Sequence, residues 1–111
     1  MANKITMDDL NEKWETLGRK PSTETLIVDI RTPEEFSEGH VPGATNLPVD
    51  QIDQHVNALK KYKEVYLYCR SGGRVTAAAQ ILEPMGLTNL QCVFSGGFPN
   101  WAARGFEIEF D

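Results

Sequence analysis

The sequence predicts an α/β fold built on a parallel sheet, and three observations carry that prediction. Short β-prone runs alternate with helical stripes along the whole chain. Two of the runs, Thr25 to Ile30 and Val65 to Tyr68, are apolar almost without interruption, as strands buried on both faces are. At 111 residues the chain reads as one domain, 1–111, long enough to bury a core without disulfides or a structural metal.

The elements follow in order. Thr6-Met7-Asp8-Asp9 has the form of a helix start, and Leu10, Trp14 and Leu17 continue at helical spacing until Gly18. An amphipathic helix is expected over about 7–17. The run Thr25 to Ile30 is the first clear strand. Thr32, Pro33, Glu34 and Glu35 then supply a cap, a first-turn proline and acids at the positive helix end, and Gly39 stops the helix after about two turns. Ala44 to Leu47 forms a short strand. Ile52, Val56 and Leu59 mark a further helical stripe, Val65 to Tyr68 another strand, and Val75, Ala78, Ala79 and Leu82 a helix closed before Pro84. Leu90 to Phe94 is a last strand-like run, and Phe98 to Ala103 a short helix.

Composition narrows the function. Eleven basic and 16 acidic residues give a net charge of -5, which disfavours tracking nucleic acid phosphates. No apolar run approaches a membrane span, and the first residues lack the apolar stretch of a secretory signal. The two cysteines, Cys69 and Cys92, form neither a disulfide framework nor a zinc pattern. Two reduced thiols in the cytoplasm are therefore expected.

Ligands of open parallel sheets bind beyond the carboxyl ends of the strands. Asp29-Ile30-Arg31, Cys69-Arg70 and Ser95-Gly96-Gly97 all lie at such ends. The segment Cys69-Arg70-Ser71-Gly72-Gly73-Arg74 carries the chemistry. A buried strand delivers a cysteine, two glycines let the backbone curl, and a helix begins at once. Amide N–H groups of such a turn form an anion nest, and the helix N-terminus adds positive potential. A thiolate or a persulfide at Cys69 would be stabilised there, while Arg70 and Arg74 would hold an anionic donor. The alternative reading makes Cys69 a small buried hydrophobe in an ordinary turn.

Val28 to Phe36, followed by Gly39-His40-Val41-Pro42-Gly43-Ala44-Thr45-Asn46, resemble the Asp-x-Arg and Gly-His-(Ile/Val)-Pro-Gly-Ala signatures of the rhodanese homology domain. Cys69 to Arg74 resembles the active-site loop of that family, and Gly96-Gly97 with Trp101 and Gly105 its C-terminal signature. The four segments occur in the family's order and cover nearly the whole chain. The resemblance implies a five-stranded parallel sheet flanked by helices on both faces, with a first strand near Ile5. It implies a thiosulfate sulfurtransferase with Cys69 as the persulfide-bearing nucleophile. Thiosulfate or another sulfane-sulfur donor would supply the sulfur, and cyanide, glutathione, thioredoxin or another protein thiol would accept it. No metal or organic cofactor is implied, and the chain is expected to act as a monomer away from nucleic acid and membrane.

Substrate contacts are expected from Arg70, Ser71, Gly72, Gly73 and Arg74. Asp29, Arg31 and Glu34 are expected to support the loop, with Asp29 or Glu34 orienting Arg74. His40 reads as a structural hydrogen-bonding residue, His55 as solvated, and Tyr66, Tyr68, Trp14 and Trp101 as packing. Met85 and Phe98 are candidates for the pocket rim. Three rival functions remain. A phosphatase of the same fold would have His-Cys, five residues, then Arg, whereas here Tyr68 precedes the cysteine and four residues separate it from Arg74. A non-catalytic module commonly lacks the cysteine. A Cys69/Cys92 redox switch is opposed by the apolar setting of Cys92.

Overall fold

The computed structural model describes residues 2–110, so Met1 and Asp111 lie outside it. Five parallel strands run in the order β1-β5-β4-β2-β3: β1 Asn3–Lys4, β2 Thr25–Asp29, β3 Thr45–Asn46, β4 Glu64–Tyr68 and β5 Leu90–Cys92. β2 and β4 form the centre, paired from Thr25↔Glu64 to Asp29↔Tyr68. The expected first strand near Ile5 is β1, which ends at Lys4.

The helices are α1 Met7–Thr16, α2 Pro33–Ser37, α3 Val56–Leu59, α4 Gly73–Leu82 and α5 Phe98–Ala103. The α1 helix starts on a complete capping box between Thr6 and Asp9, a device that stabilises a helix by about 0.5–2 kcal/mol. A second box joins Thr32 to Glu35 at the start of α2. The stripe expected over Ile52, Val56 and Leu59 divides differently. Val49–His55 is a 3-10 segment, and only the four residues of α3 are α-helical. The α4 helix closes at Leu82, before Pro84 as expected, and a 3-10 turn over Glu83–Met85 follows directly. Proline fits there because the first residues of a helical turn need no intrahelical N–H partner.

Strand alternation sorts the core into two layers. Val28, Ile30, Val65, Leu67, Cys69, Leu90 and Cys92 share one face with Ile52, Leu59 and the α4 residues Val75, Ala78, Ala79 and Leu82. Ile27, Tyr66, Tyr68 and Val93 share the other with Met7, Leu10 and Trp14 of α1 and Trp101 of α5. Helices thus cover both faces, and α2 sits at the carboxyl edge with no fully buried residue. The three loops singled out in the sequence follow β2, β4 and β5, which are neighbours in the sheet. Among the described residues no helix is long and apolar enough to cross a membrane.

Candidate active site

Cys69 follows β4 directly. Because Val65, Leu67 and Cys69 alternate with Tyr66 and Tyr68, the thiol lies on the face covered by α4, and the residue is only 1% exposed. The chain turns through Arg70, Ser71 and Gly72 and enters α4 at Gly73. The Gly72 N–H donates to Cys69 Sγ at 3.1 Å. This is one amide of the expected nest, and the positive end of the α4 dipole adds to it.

Two glycines make the loop possible. Gly72 has φ +98°, and a Cβ there would collide with the Phe94 carbonyl oxygen. Gly97 approaches so closely that a Cβ would strike the carbonyl oxygens of Cys69 and Arg70. The loop after β5 therefore packs backbone to backbone on the cysteine loop. The Phe98 N–H seals that contact by donating to the Cys69 carbonyl at 2.9 Å. Gly73 has open space around its Cβ position, so its role is not steric.

Arg74 corrects an expectation. Its partner is neither Asp29 nor Glu34 but Glu35, to which Nη1 and Nη2 donate at 2.6 and 3.0 Å. Glu34 is exposed, and its carboxylate makes no ion pair with a described residue. The reason lies in the capping box. Glu35 turns back to accept from the Thr32 N–H at 3.1 Å, which points its carboxylate inward, whereas Glu34 faces solvent. The hydrogen bonds from Arg74 hold the Glu35 carboxyl down at about 2. The same pairing raises the Arg74 pKa above its ordinary value. Arg74 is thus a half-buried tie between α4 and α2, and Arg70 is the loop's exposed guanidinium, with no ion-pair partner among the described residues.

Asp29 and Arg31 form the other support. Arg31 donates twice through Nε and once through Nη2 to the Asp29 carboxylate, at 2.7–3.0 Å, and Nη2 also reaches the Gly39 carbonyl at 2.7 Å. Burial opposes the Arg31 charge, but Asp29 outweighs it and the pKa rises. The Tyr68 hydroxyl donates to Asp29 Oδ2 at 2.7 Å and accepts from the Val41 N–H at 3.0 Å. Burial, reinforced by Asp29, raises the Tyr68 pKa and keeps the phenol neutral. Packing alone therefore does not explain Tyr68. Its hydroxyl joins β4 to the end of β2 and to the loop after α2, and strand periodicity cannot reveal such a bond.

A cavity of about 260 Å³ opens beside the loop, bordered by Arg31, Glu35, Glu38, Arg70, Phe98 and Pro99. Phe98 meets the rim expectation. Met85 does not, because α4 carries it to the opposite edge of the sheet, where it is exposed. Ser71 is exposed on the loop. A larger cleft of about 410 Å³, bordered by Trp14, Arg19 and Phe106, contains no nucleophile and lies apart from Cys69. His40 has the structural role expected. It is buried, stacks on Phe36 at 3.6 Å, donates from Nδ1 to the Phe36 carbonyl at 2.8 Å and sets Nε2 at 3.3 Å from Glu109. His55 is half-buried rather than fully solvated. Cys92 is buried on β5, and burial pushes its thiol up to about 12. No cluster of metal-ligating side chains occurs among the described residues.

Comparison with known proteins agrees with this arrangement. The profile of the rhodanese-like domain family matches residues 8–104. A sulfurtransferase of Allochromatium vinosum is 33% identical over 97% of this chain and 95% of its own. The uncharacterized protein YqhL of Bacillus subtilis is 40% identical over 70% of this chain, which spans 61% of that relative's length. The crystal structure of a rhodanese-related protein from Thermoplasma volcanium superposes with a TM-score of 0.79 at 25% identity, covering 98% of this chain and 99% of the other. With its five-stranded parallel sheet and its cysteine loop between β4 and α4, the chain belongs to the rhodanese-like domain family, which includes named sulfurtransferases.

Proposed function

We propose that the protein is a thiosulfate sulfurtransferase working through a persulfide on Cys69. One observation carries the reading. Cys69 Sγ sits at the carboxyl edge of the sheet, bonded by the Gly72 N–H at the start of α4, with the unpaired Arg70 beside it. In the first half-reaction the Cys69 thiolate attacks the outer sulfur of thiosulfate. The new S–S bond forms on Cys69, the old one breaks, and its electron pair leaves with sulfite. In the second, an acceptor thiolate or cyanide attacks the terminal persulfide sulfur, and the pair of the broken bond returns to Cys69 Sγ. Negative charge is conserved in both steps and stays beside the amide and the helix terminus. Sulfite leaves without a proton, so no general acid next to the cysteine is needed.

Arg70 recruits the donor anion, with the exposed loop residues Ser71 and Gly73 beside it. Gly72 supplies the amide, and Arg74 fixes the loop through Glu35. Asp29 and Arg31 hold the floor. Small thiols such as glutathione, or a protein thiol such as thioredoxin, serve as acceptors for a monomer acting in the cytoplasm. Thiocyanate formation from thiosulfate and cyanide tests the reading. Turnover in the wild type that vanishes in Cys69→Ser is expected, and turnover surviving in that variant would remove Cys69 from the mechanism.

A further inference from the structure

We propose that the preferred acceptor is a small thiol bearing both an ammonium and a carboxylate, held between Glu38 and Arg70. The inference rests on the persulfide reading above. Four charged side chains border the cavity that opens at Arg70 of the cysteine loop, and two are neutralised within the protein. Arg31 is bound by Asp29 and the Gly39 carbonyl, and Glu35 is bound by Arg74. The remaining two, Arg70 and Glu38, are exposed and form no ion pair with each other or with any other described residue. They border one cavity with opposite charge, and Phe98 and Pro99 line the same cavity with apolar surface.

Such a pair selects by charge. A carboxylate gains at Arg70, an ammonium gains at Glu38, and a short methylene stem lies along Phe98 and Pro99. A thiol with only a carboxylate meets Glu38 uncompensated. Arg70 serves both half-reactions in turn, because sulfite departs before the acceptor enters. The acceptor thiolate forms a bond to the terminal sulfur, the Sγ–S bond breaks, and the products are the Cys69 thiolate and the acceptor persulfide.

The test separates acceptor choice from loading. Protein loaded with thiosulfate and freed of excess is discharged by cysteine, N-acetylcysteine, cysteamine or cyanide, at matched thiolate concentration for the three thiols, and persulfide loss is followed by intact mass. Cysteine is expected to discharge Cys69 about three- to fivefold faster than N-acetylcysteine, the scale of one exposed ion pair. Glu38→Gln should remove that preference without slowing cyanide, and Glu38→Lys should reverse it. Glu38 is exposed and its side chain makes no hydrogen bond or ion pair with another described residue, so both variants are expected to fold. Equal rates for cysteine and N-acetylcysteine, or an unchanged ratio in Glu38→Gln, would overturn the proposal while leaving the persulfide reading intact. Failure of thiosulfate to load Cys69 would instead overturn the underlying reading, and this proposal with it.

Discussion

Replacing Glu35 by glutamine isolates the tie that shapes the cysteine loop. A glutamine still satisfies the capping box with Thr32, because either residue serves at that position. What it loses is the charged, two-pronged acceptor for Arg74. The pair is partly shielded, with side-chain exposures of 34% and 26%, so its worth lies between an exposed ion pair and a buried one. We expect a loss of about 1–2 kcal/mol. In a chain of this size that lowers Tm by roughly 4–10 °C. The acid dependence is the sharper signature. The folded-state pKa of Glu35, about 2, lies below the ordinary value of 4.5, so the unfolded chain binds the extra proton in the interval between them. The stabilisation is therefore fully present above 4.5 and fades as pH falls toward 2. Urea unfolding of both proteins, followed by tryptophan fluorescence from neutral to acid pH, should show the gap widest at neutrality and narrowing below 4.5. No gap at neutrality, or one that persists undiminished in acid, would refute the assignment of Glu35 as the partner of Arg74.

Other substitutions probe the remaining supports. Gly72→Ala combines a left-handed φ, costing roughly 1–2 kcal/mol, with a collision at the Phe94 carbonyl, so it should lose at least that stability and take up sulfur from thiosulfate far more slowly. Normal uptake would show that the loop tolerates a wider path. Tyr68→Phe strands the Val41 N–H and removes a donor from Asp29, at an expected cost of about 1–3 kcal/mol by chemical denaturation. A neutral result would mean that the hydroxyl is dispensable. Cys92→Ala should retain thiocyanate turnover, because burial leaves that thiol protonated at neutral pH, and lost turnover would revive the two-cysteine switch.

The sequence was most legible where one periodicity dominates. The apolar run Val65 to Tyr68 marked a buried strand ending at Cys69, and the glycines after it marked the turn into α4. Contacts between loops distant in sequence were not legible. Glu35 and Arg74 meet across 39 positions, and only the backward turn of the Thr32–Glu35 capping box distinguishes Glu35 from Glu34. That box was visible in the sequence and was the one signal able to find the pair. The Tyr68 hydroxyl gave no such signal, since an aromatic residue in a buried strand is explained by packing alone. The 3-10 segment over Val49–His55 was missed because the spacing of Ile52, Val56 and Leu59 suits an α-helix and carries no mark of the tighter coil that follows Pro48.

Intact mass of the protein after treatment with thiosulfate alone is the most direct test of the central claim. The account predicts a gain of one sulfur atom, lost again on addition of cyanide, mapped to Cys69 and absent from Cys69→Ser. No gain on the folded wild type, or a gain carried by Cys92, would contradict it.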